Sequence, residues 1–153
     1  MDLKIFFDSI DIDLQDIIKD PNCLCNQFEL NVDVIPNWEE MDIAIIGVPD
    51  TRGTIEEVDG EKGLDKIRKS IYQLKRSSKF YRVADLGNLR PGETLEDTYL
   101  RLKEVVEILL SYKTFPLIIG GTHDLDYGQY LGYEKFEKLV NVACIDAFPD
   151  MEG

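Results

Sequence analysis

Two short apolar runs, Pro116–Ile119 and Val140–Ile145, each end in a cluster of side chains able to bind a ligand. The first is followed by Gly120-Gly121 and then His123, Asp124 and Asp126, the second by Asp146 and Asp150. A short apolar run bounded by turn residues suits a strand buried on both faces of a parallel sheet. Between the two runs, Tyr127, Tyr130, Leu131 and Phe136 leave room for a crossover helix and are expected to face the core. In open α/β sheets, ligands bind beyond the carboxyl ends of the strands. Both clusters fall at such ends, so any chemistry in this chain is expected there.

Upstream, the same alternation repeats. Asp42–Val48 predicts a buried strand, and Leu64, Ile67, Ile71 and Leu74 recur at the spacing of one helix face. Tyr81–Asp85 predicts a second, shorter strand, with Gly87, Pro91 and Gly92 marking the loop beyond it. Thr94 and Asp97 have capping-box spacing before Leu95, Tyr99, Leu102, Val105 and Leu109, which line a second helix. The order β-α-β-α-β-α-β implies a mostly parallel sheet with right-handed crossovers. Residues 1–40 form an N-terminal elaboration, with a short helix over Asp13–Lys19 and an edge strand where Phe28, Leu30, Val32 and Val34 alternate with polar residues. The remainder, 41–153, completes one α/β domain. Trp38 is expected to pack rather than to stack on a ligand.

Charge narrows the partners. Thirty acidic residues against 17 basic give the 153-residue chain a net charge of −13, with no basic cluster to relieve it. Nucleic acid and anionic membrane are therefore not expected partners. No apolar run is long enough to span a membrane. The start, Met1-Asp2-Leu3-Lys4-Ile5-Phe6-Phe7-Asp8, lacks a signal-peptide pattern, so the expected location is cytoplasmic. Three cysteines do not make a disulfide framework. Cys144 lies in a predicted buried strand, and Cys23-Leu24-Cys25 has no second pair to complete a zinc site.

One imidazole and several carboxylates at neighbouring strand ends suit a divalent ion such as manganese. His123, Asp146 and Asp150 are the main candidate ligands, with Asp124 and Asp126 behind them. Such an ion acidifies a bound water. The same residues also have a plain structural reading, since Asp is favoured at turns and helix N-termini. A third reading is anion binding at the helix that Gly120-Gly121 opens, although the acids around it disfavour an anion.

Four stretches together resemble the ureohydrolases: arginase, agmatinase and formimidoylglutamase. Ile46-Gly-Val-Pro49 with Gly60-Glu-Lys-Gly63 and Ile67-Arg68 is similar to the family's opening strand, loop and helix. Val83-Ala-Asp-Leu-Gly-Asn88 resembles its D-x-G-D/N segment. Gly120-Gly-Thr-His-Asp124 resembles G-G-D-H-S, and Asp146-Ala-Phe-Pro-Asp150 resembles D-A-H-x-D.

The resemblance implies a three-layer αβα fold like the N-terminal half of the arginase fold. It also implies a two-manganese site that activates water to attack a guanidino or formimino carbon. His123, Asp146 and Asp150 fall on metal-binding positions. Phe148 falls on a histidine ligand and cannot replace it; Thr122 and Asp124 replace an Asp and a Ser. The family's further motif, S-x-D-x-D-x-x-D-P, is absent. Three of the six ligand positions are thus present, and this chain alone is expected to bind manganese poorly or not at all. No catalytic residue and no other cofactor is assigned. The expected substrate, if the chain is active, is a small amidine or guanidine. The alternative is a non-catalytic module that keeps the fold for binding or assembly. An incomplete sheet leaves an open strand edge, so a homo-oligomer is expected.

Overall fold

In a computed structural model of the chain, residues 3–11, 13, 20–54, 59–76, 80–136, 139–143 and 145 are described. Five strands form one sheet: β1 (Phe7–Asp8), β2 (Phe28–Leu30), β3 (Ile43–Gly47), β4 (Val83–Leu89) and β5 (Phe115–Ile119). Three helices complete the layers: α1 (Gly60–Tyr72), α2 (Leu95–Ser111) and α3 (Leu125–Glu134). β3 lies at the centre, parallel to both β4 and β5. On the far edge of β4, β2 pairs in parallel with Val83–Asp85 and β1 pairs antiparallel with Asn88 and Leu89. The N-terminal residues therefore extend the sheet.

Each sheet face has its own core. Ala44, Ile46, Val48, Ala84 and Leu86 point to one side, where Leu102, Val105, Val106 and Leu109 of α2 and Leu125 of α3 cover them. Ile45, Val83 and Ile119 point to the other side and meet Leu64 of α1. This is the αβα layering that a mostly parallel sheet demands, because both of its faces must be dry.

α2 forms where its sequence pattern placed it. Thr94 Oγ1 accepts from the Asp97 amide, and the Asp97 carboxylate accepts from the Thr94 amide, closing a capping box. β5 coincides with the predicted run. Trp38 is buried, its ring meeting Tyr112 edge-on at 5.0 Å.

Five expectations need correction. The buried face of α1 is Leu64, Arg68 and Tyr72, whereas Ile67 and Leu74 are exposed. The helix is turned by the Asp85 carboxylate, which is fully buried on β4 and draws Arg68 and Tyr72 inward. The second strand runs on to Leu89 instead of ending at Asp85. Gly87, at φ +90°, makes a bulge inside it, and its amide donates to Asp85 Oδ1 at 3.0 Å.

Tyr127 and Tyr130 are exposed. α3 instead turns Leu125, Gly128 and Gly132 inward, and both glycines let it approach α2 closely, against Tyr99 and Val106. Finally, none of the described residues of 140–145 is in a strand, and Val142 and Ile145 are exposed. β2 is also shorter than its alternation suggested, with Val32 and Val34 exposed beyond it. The predicted helix over Asp13–Lys19 lies, apart from Asp13, outside the described residues, as does Cys144. No described helix is long and apolar enough to cross a membrane.

Candidate active-site cleft at the carboxyl end of β5

At the end of β5 the chain turns back through Gly120 and Gly121, both at φ +77°. A side chain at Gly121 would also collide with Leu125 at 1.8 Å, so glycine is required there twice over. The turn brings Thr122, His123 and Asp124 to the rim of the sheet just before α3. A cleft of about 260 Å³ opens there, lined by Ile118, Gly120, Gly121, Thr122, His123, Leu125, Asp126 and Gln129.

His123 is exposed at this cleft, and Asp126 is exposed beside it in the first turn of α3. Asp124 occupies the N-cap position of α3 without capping it. Its Oδ2 accepts from the Tyr99 hydroxyl at 2.6 Å, which ties the turn to α2. Burial first, and the Asp124 bond second, push the Tyr99 phenol above its usual range. The Asp124 Oδ1 atom is buried without a hydrogen-bond partner among the described residues, and so is Thr122 Oγ1. Buried polar atoms of this kind ordinarily find a partner; Thr122 lines the cleft beside His123, whereas the Asp124 carboxylate lies against Gly53 of the neighbouring loop. Asp146 and Asp150, the other predicted ligands, lie outside the described residues, as does Phe148. The described residues bring no three His, Cys, Asp or Glu side chains together.

The neighbouring loop is held from beneath. Asp50 is almost fully buried and accepts from Arg52 and from the Thr98 hydroxyl, the latter at 2.7 Å. Burial pushes the Asp50 carboxyl up, but these hydrogen bonds outweigh it and keep the group below the ordinary carboxylate range. Arg52 reaches on to the carbonyls of Gly92, Glu93 and Thr94, fastening the loop to the start of α2. Gly53 sits against the Asp124 carboxylate, where any side chain would intrude at 1.9 Å. The loop, the turn and α2 are thus locked together around the cleft.

A second network supports the end of β4. Arg68 donates to both Asp85 oxygens, to the Gly87 carbonyl and to Asn88 Oδ1. Tyr72 donates to Asp85 Oδ2 at 2.7 Å, and burial pushes its phenol well above the usual range. Sequence pattern assigned Arg68 no role of its own, did not pick out Tyr72, and treated Tyr99 as an apolar position. The only available signal for the first pair was an acid, Asp85, at the end of a predicted strand, which demands partners once buried.

Residues 41–153 match the family model described as the arginase family. Formimidoylglutamase of Macrococcus caseolyticus is 30% identical over 119 residues, covering 74% of this chain and 38% of that protein. The mitochondrial guanidino acid hydrolase of Homo sapiens is 28% identical over 139 residues, covering 85% of this chain and 39% of that protein. Among solved structures, formiminoglutamase of Trypanosoma cruzi with Mn2+ superposes with a TM-score of 0.58 at 24% identity. That match covers 65% of this chain and 37% of the other, and at such identity it speaks for the fold. The chain spans about two fifths of the length of the curated relatives it matches.

Proposed function

The chain belongs to the arginase family, and from that premise we propose that it supplies part of the manganese site of a hydrolase of formimino or guanidino C–N bonds. The observation that carries this reading is the setting of His123: an exposed imidazole in a cleft at a strand end that Thr122, whose buried hydroxyl has no partner among the described residues, also lines.

The donor set fits one manganese ion in type. His123, Asp146 and Asp150 would hold it, one nitrogen and two carboxylates, a combination suited to an ion of intermediate hardness. When bound, the ion would lower the pKa of a water and so supply a nucleophile near neutral pH. Phe148, which has no donor atom, stands between the two aspartates in sequence and argues against a second ion on these residues alone.

The protein's own groups do the positioning. Gly120 and Gly121 turn the chain so that His123 faces the cleft. The Tyr99–Asp124 bond holds that turn against α2, and the Asp50–Arg52–Thr98 cluster fixes the loop beside it. Asp126 and Gln129 line the same cleft and offer acceptors to the N–H groups of an amidine or guanidine. An acidic chain favours such cationic substrates over anions.

The test is a manganese titration by calorimetry on the wild type and His123→Ala, followed by hydrolysis assays with formiminoglutamate, arginine and agmatine. With three of the six ligand positions present, weak binding that disappears with His123→Ala is the expected result. Equal binding by both proteins, or none by either, would remove His123 from any metal role in this chain.

A further inference from the structure

Asp124 does not do what its position suggests. It is the N-cap of α3, yet its side chain caps nothing and its backbone is already helical, at φ −55° and ψ −23°. An Asp at that position ordinarily accepts from the first amides of its own helix. The Asp124 Oδ2 atom instead accepts from the Tyr99 hydroxyl of α2 at 2.6 Å. Tyr99 touches the start of α3 twice more. Its ring meets Tyr127 edge-on at 5.9 Å, and a side chain at Gly128 would stand 3.0 Å from the Tyr99 Cα. The first turn of α3 is thus seated on this one residue.

The residue before it holds the opposite wall. The Thr98 hydroxyl donates to Asp50, in the segment that leaves β3, at 2.7 Å. Two consecutive residues of α2 therefore fasten the segments that leave β3 and β5, and Gly53 of one segment lies against the Asp124 carboxylate of the other. Between β3 and β5 the order of the parallel strands reverses, which is the crevice where open α/β sheets take their ligands. His123 lines the cleft there and is joined by a single peptide bond to Asp124. The hold of a metal ligand depends on groups that fix its orientation without touching the ion.

We propose that Tyr99 is a positioning residue: its hydroxyl, acting through Asp124, fixes where the His123 imidazole stands in the cleft and thereby sets how tightly the cleft holds manganese. The effect on manganese rests on the reading of His123 as a metal ligand; the effect on the imidazole does not. Asp124 stands where the G-G-D-H-S pattern has a serine, so its bond to Tyr99 is this chain's own departure from that pattern.

Tyr99→Phe removes the hydroxyl and keeps the ring against Tyr127. His123 is the only histidine in the sequence, so a nitrogen-labelled sample gives one set of imidazole signals by NMR. These signals are expected to move or split in Tyr99→Phe while the circular dichroism stays unchanged. Manganese, titrated by calorimetry, is expected to bind at least about tenfold more weakly. Adding Tyr99→Phe to Asp124→Ala is expected to change neither the signals nor the affinity further, because Tyr99 acts only through that carboxylate. Thr94→Ala loosens the same end of α2 without touching the pair, and is expected to leave both readouts in place. Imidazole signals that stay put in Tyr99→Phe overturn the proposal, whatever manganese does. A Thr94→Ala that moves them as far overturns it too, as does an effect of Tyr99→Phe that persists in full beside Asp124→Ala. Absence of manganese binding in the wild type removes the metal reading of His123 and the manganese effect with it, while the imidazole signals still decide whether Tyr99 positions the ring.

Discussion

Replacing Arg68 by methionine tests whether the buried network under β4 is what turns α1. Arg68 is 1% exposed and its partner Asp85 is fully buried. The substitution keeps the length of the side chain and removes every hydrogen bond it donates. Asp85 then retains only the Tyr72 hydroxyl and the Gly87 amide as donors, with no countercharge. Breaking a buried pair on one side costs about 3–5 kcal/mol, which is a large share of the roughly 5–15 kcal/mol that holds a domain together. Urea unfolding followed by circular dichroism measures it.

A second substitution supplies a further signature of the same network. The double variant Arg68→Met/Asp85→Asn keeps an acceptor for Tyr72 without the charge, and is expected to recover part of the loss. A single-variant cost below about 1 kcal/mol, or a double variant that shows the simple sum of both losses, would refute the electrostatic account.

Thr94→Ala opens the capping box of α2 and is expected to cost about 1 kcal/mol. In a domain of this size that is a fall of about 2–4 °C in Tm by calorimetry. On the alkaline side, burial raises the Tyr72 and Tyr99 phenols above their usual value of 10.0. A raised pKa means stability that is complete below that value and lost as pH climbs beyond it. The midpoint in urea is thus expected to fall above pH 10.0, and Tyr72→Phe to flatten that decline.

The layers were legible wherever one face of an element is apolar and its ends carry their own signals. Thr94 and Asp97 announce α2, and Leu102, Val105 and Leu109 state which side is buried. α1 misled for a physical reason. Leu64, Ile67, Ile71 and Leu74 form a helical stripe, yet what turns the helix is a charge on another element, Asp85, and no local periodicity encodes that. Ile67 stays outside because Arg68 must be inside. The cleft divides in the same way. Gly120-Gly121 and His123 were visible as a turn and a donor. Asp124 stood out as an acid, but its bond to Tyr99 joins residues 25 positions apart and appears only once α3 lies on α2.

The run 140–145 shows where such reasoning ends. By composition it is as good a strand as 116–119: apolar but for Asn141, rich in β-branched residues and uncharged. A strand, however, is completed by its neighbour, and the outer edge of β5 is a poor one for it. Pro116 has no amide to give, so a parallel newcomer would find its first hydrogen bond missing there. One residue inside β5 thus weakens its outer edge as a partner for the run that stays unpaired among the described residues.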